Sequence, residues 1–234
     1  YEIYQCDWSS DVCSSDLYFE GMSRIVIAHN GAIDKFIGDA VVAVFGAFSD
    51  DGKHPGDAVA CAIDIAAFAE TFSAEQNAQG LALGVTRVGV NTGDAIIGNF
   101  GGSLRFDYTA IGDAVNTAAR LEGANKYLGT TVCVSEATLA GVANALTRPI
   151  GRLVVKGKTQ ALVVHEPLAA VQPSTTVRDS TYDAAFELLR QGSPQALAAF
   201  EQLARERPGD TLVAFHLARL TAGATDDQIR LDEK

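Results

Sequence analysis

Hydrophobic and polar positions along the chain switch repeatedly between a helical and a strand rhythm. From Tyr18 to Asn30, apolar residues at Phe19, Met22, Ile25 and Val26 keep helical spacing and stop at Asn30-Gly31. Two short apolar runs follow, AIDKFIG and AVVAVFG, meeting at Gly38-Asp39, and predict a β-hairpin with Asp39 in its turn. Ala47–Pro55 is a polar loop. Asp57 is then placed to cap a helix over Ala58–Gln76, with Val59, Ile63, Ala66 and Ala67 facing one way. Arg87–Phe100 carries two strand segments around a Thr92-Gly93-Asp94 turn. Gly101-Gly102 reads as a loop, and Arg105–Ile111 as a strand that runs through Gly112 into an amphipathic helix. Thr131–Val134 is a short strand, Ser135 caps a helix over SEATLAGV, and Arg152–Pro167 is a hairpin turning at Gly157-Lys158.

This order of elements predicts an α+β domain, a largely antiparallel sheet covered by helices. It fits a ferredoxin-like core lacking its first strand and part of its first helix. Residues 18–168 are assigned to this domain, and the polar, proline-containing residues 169–180 to a linker. Residues 181–234 hold three amphipathic segments, Tyr182–Gln191, Pro194–Arg207 and Thr211–Thr221. Their alternation of alanine with bulky apolar residues resembles a tetratricopeptide-type α-helical hairpin. One such unit is too little for a free-standing solenoid, so it is expected to pack on the main domain, a protein partner or further repeats. His216 falls inside this pattern as a packed histidine.

Residues 1–17, YEIYQCDWSSDVCSSDL, have neither rhythm, and DWSSDVCSSDL resembles the translation of a sequencing-library adapter. They are read as a non-native artefact, the alternative being a disordered leader. Without Glu2, Asp7, Asp11 and Asp16 the net charge of −11 becomes −7. Either value argues against a nucleic-acid-binding surface but not against a nucleotide site. Setting aside Cys6 and Cys13 leaves Cys61 and Cys133, which read as small core residues in a reducing compartment. No run approaches the roughly 18 apolar residues of a membrane span.

Candidate chemistry concentrates in Phe106–Leu121, FDYTAIGDAVNTAARL, where Asn116 and Arg120 lie one helical turn apart. An amide beside a guanidinium suits an anionic, developing charge, although the same pair could simply cover a solvent face. The motifs around it decide between these. DKFIGDAVVAVFG, VGVNTGDAIIGNFG, FDYTAIGDAVNTAARLE and VVKGK occur in the order and spacing of class III nucleotidyl cyclase domains, and the resemblance covers Tyr18–Leu168.

The resemblance implies an adenylate cyclase that closes ATP to 3′,5′-cyclic AMP and releases pyrophosphate, with two Mg²⁺ or Mn²⁺ ions per site. Asp39 resembles the second metal aspartate. Lys35 resembles the purine-reading lysine, where guanine-specific members carry glutamate. The second base-reading position falls on Thr109, as in a subgroup that includes bicarbonate-stimulated cyclases; a hydroxyl could accept from the adenine amino group, or donate. Asn116 resembles the ribose-orienting residue, Arg120 the arginine at the α-phosphate, and Lys156 the lysine at the β,γ-phosphates.

Family pairing implies a homodimer with shared active sites, Asp39 serving one site and Lys35, Thr109, Asn116 and Arg120 the other. A cytoplasmic catalytic domain is expected, with a sensor or membrane anchor upstream left open. The family's first metal aspartate, in an Asp-x-x-Gly-Phe context, has no match, so this chain is expected to be truncated and nearly inactive. The competing readings are a degenerate, non-catalytic dimerisation domain and a guanylate cyclase.

Overall fold

The computed structural model describes residues 11–48, 52–81, 83–102, 105–155, 160–168 and 180–231, with backbone alone at 11–15 and 105–106. The chain separates into two compact units. Residues 1–86 and 96–111 make the first, and 87–95 with 112–234 the second.

In the first unit, α1 (Asp11–Ala28) packs on α2 (His54–Ala78). Met22 and Val26 are buried, as their spacing predicts, and Asn30 takes the left-handed conformation (φ 60°) that ends α1. The helix begins seven residues before Tyr18, inside the segment that lacked a sequence rhythm. Tyr18 stacks on Phe68, packs at a tilt against Phe72 and pairs its hydroxyl with Thr86 at 2.8 Å. The second helix also starts early, because Pro55 is well tolerated in a first turn. Asp57 therefore lies within that turn, not at the cap, and accepts from Asn30. The buried face of α2 is Val59, as predicted, with Ala62, Ile65, Ala69 and Phe72, whereas Ile63 and Ala66 are half-buried and Ala67 is exposed. An alanine-rich helix carries too little contrast to fix its own orientation.

The hairpin of β1 (Ala32–Ile37) and β2 (Ala40–Val44) turns at Gly38-Asp39, where Gly38 adopts the positive φ of 62° that glycine accepts without strain. A second antiparallel hairpin joins β4 (Ile96–Gly102) to β5 (Arg105–Ile111). Gly101 and Gly102 extend the strand where the sequence suggested a loop.

The second unit is built on a mixed sheet in the order β3-β6-β8-β7-β9. These strands are β3 (Val88–Val90), β6 (Val132–Ser135), β7 (Thr147–Val154), β8 (Leu162–Pro167) and β9 (Gln228–Arg230). The β3–β6 and β7–β9 pairs are parallel, so the sheet is less uniformly antiparallel than expected. The turn at Gly157-Lys158 and nearly all of the proposed linker lie outside the described residues. Helix α3 (Asp113–Leu128) covers the sheet, and α4 (Glu136–Leu139) is capped by Ser135 as predicted.

Helices α5 (Ser180–Arg190), α6 (Gln195–Glu206) and α7 (Thr211–Thr221) follow the sequence boundaries closely. They share one core with the sheet: Leu121, Leu128, Ile150, Leu153 and Val164 pack with Tyr182, Phe200 and Leu212. Each such side chain contributes about 1.5–3 kcal/mol by leaving water. Strand β9, which the sequence did not announce, adds to the sheet edge through Leu153–Ile229 pairing.

Candidate active site

In the first unit, the register of β1 breaks between Ile33 and Lys35. Ile33 pairs with Ala43 and Lys35 with Val42, leaving Asp34 as the extra residue of a bulge. A regular strand would send Asp34 and Lys35 to opposite faces. With the bulge, Lys35 Nζ lies 3.4 Å from Asp34 Oδ2. Thr109, opposite Gly98 in the second hairpin, donates its hydroxyl to the same Oδ2 at 2.8 Å. The Asp34 side chain is 4% exposed and that of Lys35 41%. A buried carboxylate persists here because it is paired. Asp39 is exposed at its turn.

In the second unit, the position of α3 is set by backbone contact. Gly89 of β3 lies so close to the helix that a Cβ there would stand 2.2 Å from Ala118 O. The wholly buried Asn125 donates to Val88 O at 3.0 Å and accepts from Thr130 Oγ1 at 2.6 Å. Asn91 Nδ2 donates to Ala114 O at 3.2 Å, tying the first turn of α3 to the segment after β3. At the other end, Thr211 of α7 donates to Gly129 O beside the left-handed C-cap of α3. Thr117, Leu121, Ala124, Asn125 and Leu128 form the buried face of α3. Asn116 is exposed and Arg120 half-buried, away from that face, and Arg120 has no hydrogen-bond or ion-pair partner among the described residues.

The model of the adenylate and guanylate cyclase catalytic domain matches residues 17–165. The chain belongs to that family. Adenylate cyclase 1 of Rhizobium meliloti (strain 1021) is 39% identical over 165 residues, covering 70% of this chain and 25% of that protein. The adenylate cyclase of Anabaena cylindrica is 33% identical over 157 residues, covering 64% and 30%. The chain thus spans between a quarter and a third of these relatives. Among solved structures, the adenylyl cyclase CyaB from P. aeruginosa superposes with a TM-score of 0.63 at 30% identity, covering 70% of this chain and 85% of the other. The guanylate cyclase domain of RhGC from Catenaria anguillulae, in complex with GTP, gives 0.58 at 25% identity, covering 70% and 87%.

Within this cyclase domain, the residues singled out by sequence are distributed as follows. Lys35 and Thr109 meet at one carboxylate, Asn116 and Arg120 share one helix face, Asp39 stands in a turn, and Lys156 lies outside the described residues. Sequence reasoning missed Asp34, Gly89, Asn91 and Asn125. Asp34 had a signal: two charged residues side by side in a strand break the alternation and mark a bulge.

Metal-ion dependence is general in this family. The described residues contain no group of three or more His, Cys, Asp or Glu that could enclose an ion. Asp39 offers one open carboxylate, which suits Mg²⁺ only as part of a set completed by water, phosphate and further carboxylate. Among the described residues the donor set does not by itself make a metal site.

The remaining candidates are structural. Cys61 and Cys133 are free and buried, and burial, reinforced by Asp64 and Glu166 respectively, pushes each thiol up to about 12, so both stay protonated. His216 is wholly buried against the rings of Phe186, Phe200 and Phe215. A cleft of about 670 Å³ in the second unit, lined by Arg152, His165, Glu187 and Asp227 among others, contains none of the candidate residues. No helix among the described residues is long and apolar enough to cross a membrane.

Proposed function

We propose that the chain is the catalytic domain of an adenylate cyclase, closing ATP to 3′,5′-cyclic AMP. The observation that carries this is the meeting of Lys35 and Thr109 at the Asp34 carboxylate. An ammonium donor beside a hydroxyl acceptor complements adenine, which presents the N1 acceptor next to the amino donor. Guanine presents a donor and then an acceptor. The named relatives, both adenylate cyclases, support the same substrate.

In this reading Lys35 and Thr109 hold the base, Asn116 orients the ribose, and Arg120 meets the α-phosphate. Lys156 is assigned to the β,γ-phosphates on the family resemblance. The 3′-oxygen bonds to the α-phosphorus as the bond to the bridging oxygen breaks. Pyrophosphate leaves with that electron pair, and the hydroxyl proton passes to solvent. Arg120, which has no partner among the described residues, is free to strengthen its contact as negative charge builds, which is what lowers a barrier. Asp39 would supply one carboxylate to Mg²⁺ or Mn²⁺, whose chemistry when bound is to polarise the hydroxyl and neutralise phosphate charge.

A homodimer with shared sites is the proposed assembly. Phe36, Ile37, Ile96, Tyr108 and Ile111 of the first unit are large, apolar and at least half exposed, which supports burial against a second chain. The domain is placed in the cytoplasm, where ATP is available, and α5–α7 present an outer face for a protein partner. The test is formation of cyclic AMP and cyclic GMP from ATP and GTP, with Mg²⁺ and with Mn²⁺, across a range of protein concentrations, by the domain joined to a segment that carries the family's Asp-x-x-Gly-Phe motif. Selective cyclic AMP formation, with specific activity rising with concentration, is expected. Preferential cyclic GMP formation, or a fully active monomer, would refute the reading.

A further inference from the structure

Thr109 poses a question that its identity alone leaves open. A hydroxyl carries one proton and two lone pairs, so it can accept from the adenine amino group or equally donate to the guanine carbonyl. Its specificity depends on where the proton points. The Thr109 proton has two acceptors nearby, Asp34 Oδ2 at 2.8 Å and Ala110 O at 3.5 Å, and the longer distance does not compete. An ionised carboxylate has no proton to offer in return, and the Lys35 ammonium lies 3.4 Å from the same oxygen. With its side chain 4% exposed, Asp34 is also shielded from water that could take the Thr109 proton's place.

We infer that Asp34 is the positioning residue for base specificity: by taking the Thr109 proton, it converts a two-way hydroxyl into an acceptor. The inference rests on Lys35 and Thr109 being the base-reading pair. Asp34 reaches Thr109 because it is the bulged residue of β1. The same bulge leaves Lys35 beside it as a donor. The pair then offers donor and acceptor in the order adenine requires. Guanine would oppose acceptor to acceptor and donor to donor, a mismatch worth on the order of ten- to a hundredfold. Asp34 acts through Thr109 without needing to touch the nucleotide.

The test is competition of ATP and GTP against N-methylanthraniloyl-ATP on the 234-residue chain with Mg²⁺. Wild type, Asp34→Ala and Asp34→Ser are compared, and Asp34→Ala is repeated in a Thr109→Val background. Serine keeps a polar side chain but no longer fixes the proton, so it serves if alanine impairs folding. The ATP:GTP affinity ratio should fall at least tenfold in both single variants. In the Thr109→Val background, Asp34→Ala should change it less than threefold. A ratio within twofold of wild type in a folded Asp34 variant overturns the inference alone. So does a tenfold effect that persists without the Thr109 hydroxyl. A wild-type chain with no preference for ATP overturns the base-reading assignment as well as the inference built on it.

Discussion

Gly89 and Ala118 meet backbone to backbone. A Cβ on Gly89 would stand 2.2 Å from Ala118 O and 2.3 Å from Glu122 N. Both are helix main-chain atoms, so no single side chain can swing away and α3 itself must lift. Gly89→Ala is expected to cost about 1–3 kcal/mol through overpacking. Because α3 carries Asn116 and Arg120, a shift near 1 Å should also lower cyclase turnover by roughly a hundredfold. Denaturant unfolding and initial rates on the same variant check both, and full turnover in Gly89→Ala would show that α3 tolerates displacement.

Arg120 makes no ion pair that its removal would break among the described residues, so Arg120→Ala should leave stability nearly unchanged. If its guanidinium stabilises charge that builds on the α-phosphate, kcat should fall by about 10²–10³ with KM little altered. Arg120→Lys should recover only part of the loss, because an ammonium lacks the planar fork. A rise confined to KM would assign Arg120 to ground-state binding.

The helices and hairpins were legible because their signals are local. Asn30-Gly31, Gly38-Asp39 and Ser135 each punctuate the chain with a side chain or conformation that acts within a few residues. The α3 helix was legible for the same reason, and so was the shared face of Asn116 and Arg120. What the sequence could not show depends on contacts between distant segments. Leu153 and Ile229 are brought together by the parallel pairing of β9, and nothing in Gln228–Arg230 alone announces a strand. The partner of Asp34 lies 75 residues away on another hairpin. The role of Gly89 depends on which helix crosses it. In α2 the failure was of contrast: alanine on every face left the buried one unmarked.

One guanidinium holds the C-terminal helices to the sheet. Arg148 of β7 donates to Glu166 at 2.7 Å and to Asp210 at 2.5 and 3.0 Å, with the Tyr182 ring 5.1 Å beneath it. Burial raises Glu166 despite this contact. In Asp210 the hydrogen bonds and charge of Arg148 outweigh burial and hold the carboxyl below its ordinary value. Arg148→Ala strands both carboxylates and should cost about 3–5 kcal/mol near pH 7. The deficit relative to wild type should narrow below about pH 5, as the stranded acids are neutralised by protons. Unfolding at pH 7.5 and 4.5 decides this, and a deficit independent of pH would point to lost packing alone.

His216 should make stability itself depend on pH. Neither ring nitrogen has a hydrogen-bond partner among the described residues. Burial, aided by the charges of Arg219 and Arg148 and only partly opposed by Asp210, lowers its pKa to about 3. In the unfolded chain the imidazole takes a proton below about pH 6.5. As pH falls through that value, the unfolded state gains a proton that the folded state refuses. The folded state then loses up to about 1.4 kcal/mol per pH unit until about pH 3, where both states are protonated. His216→Phe keeps the aromatic packing and removes the titration. Between pH 7.5 and 4.5 wild type should therefore lose about 2–3 kcal/mol more than the variant in denaturant unfolding. Parallel losses would mean that water reaches the ring and that His216 titrates folded much as it does unfolded.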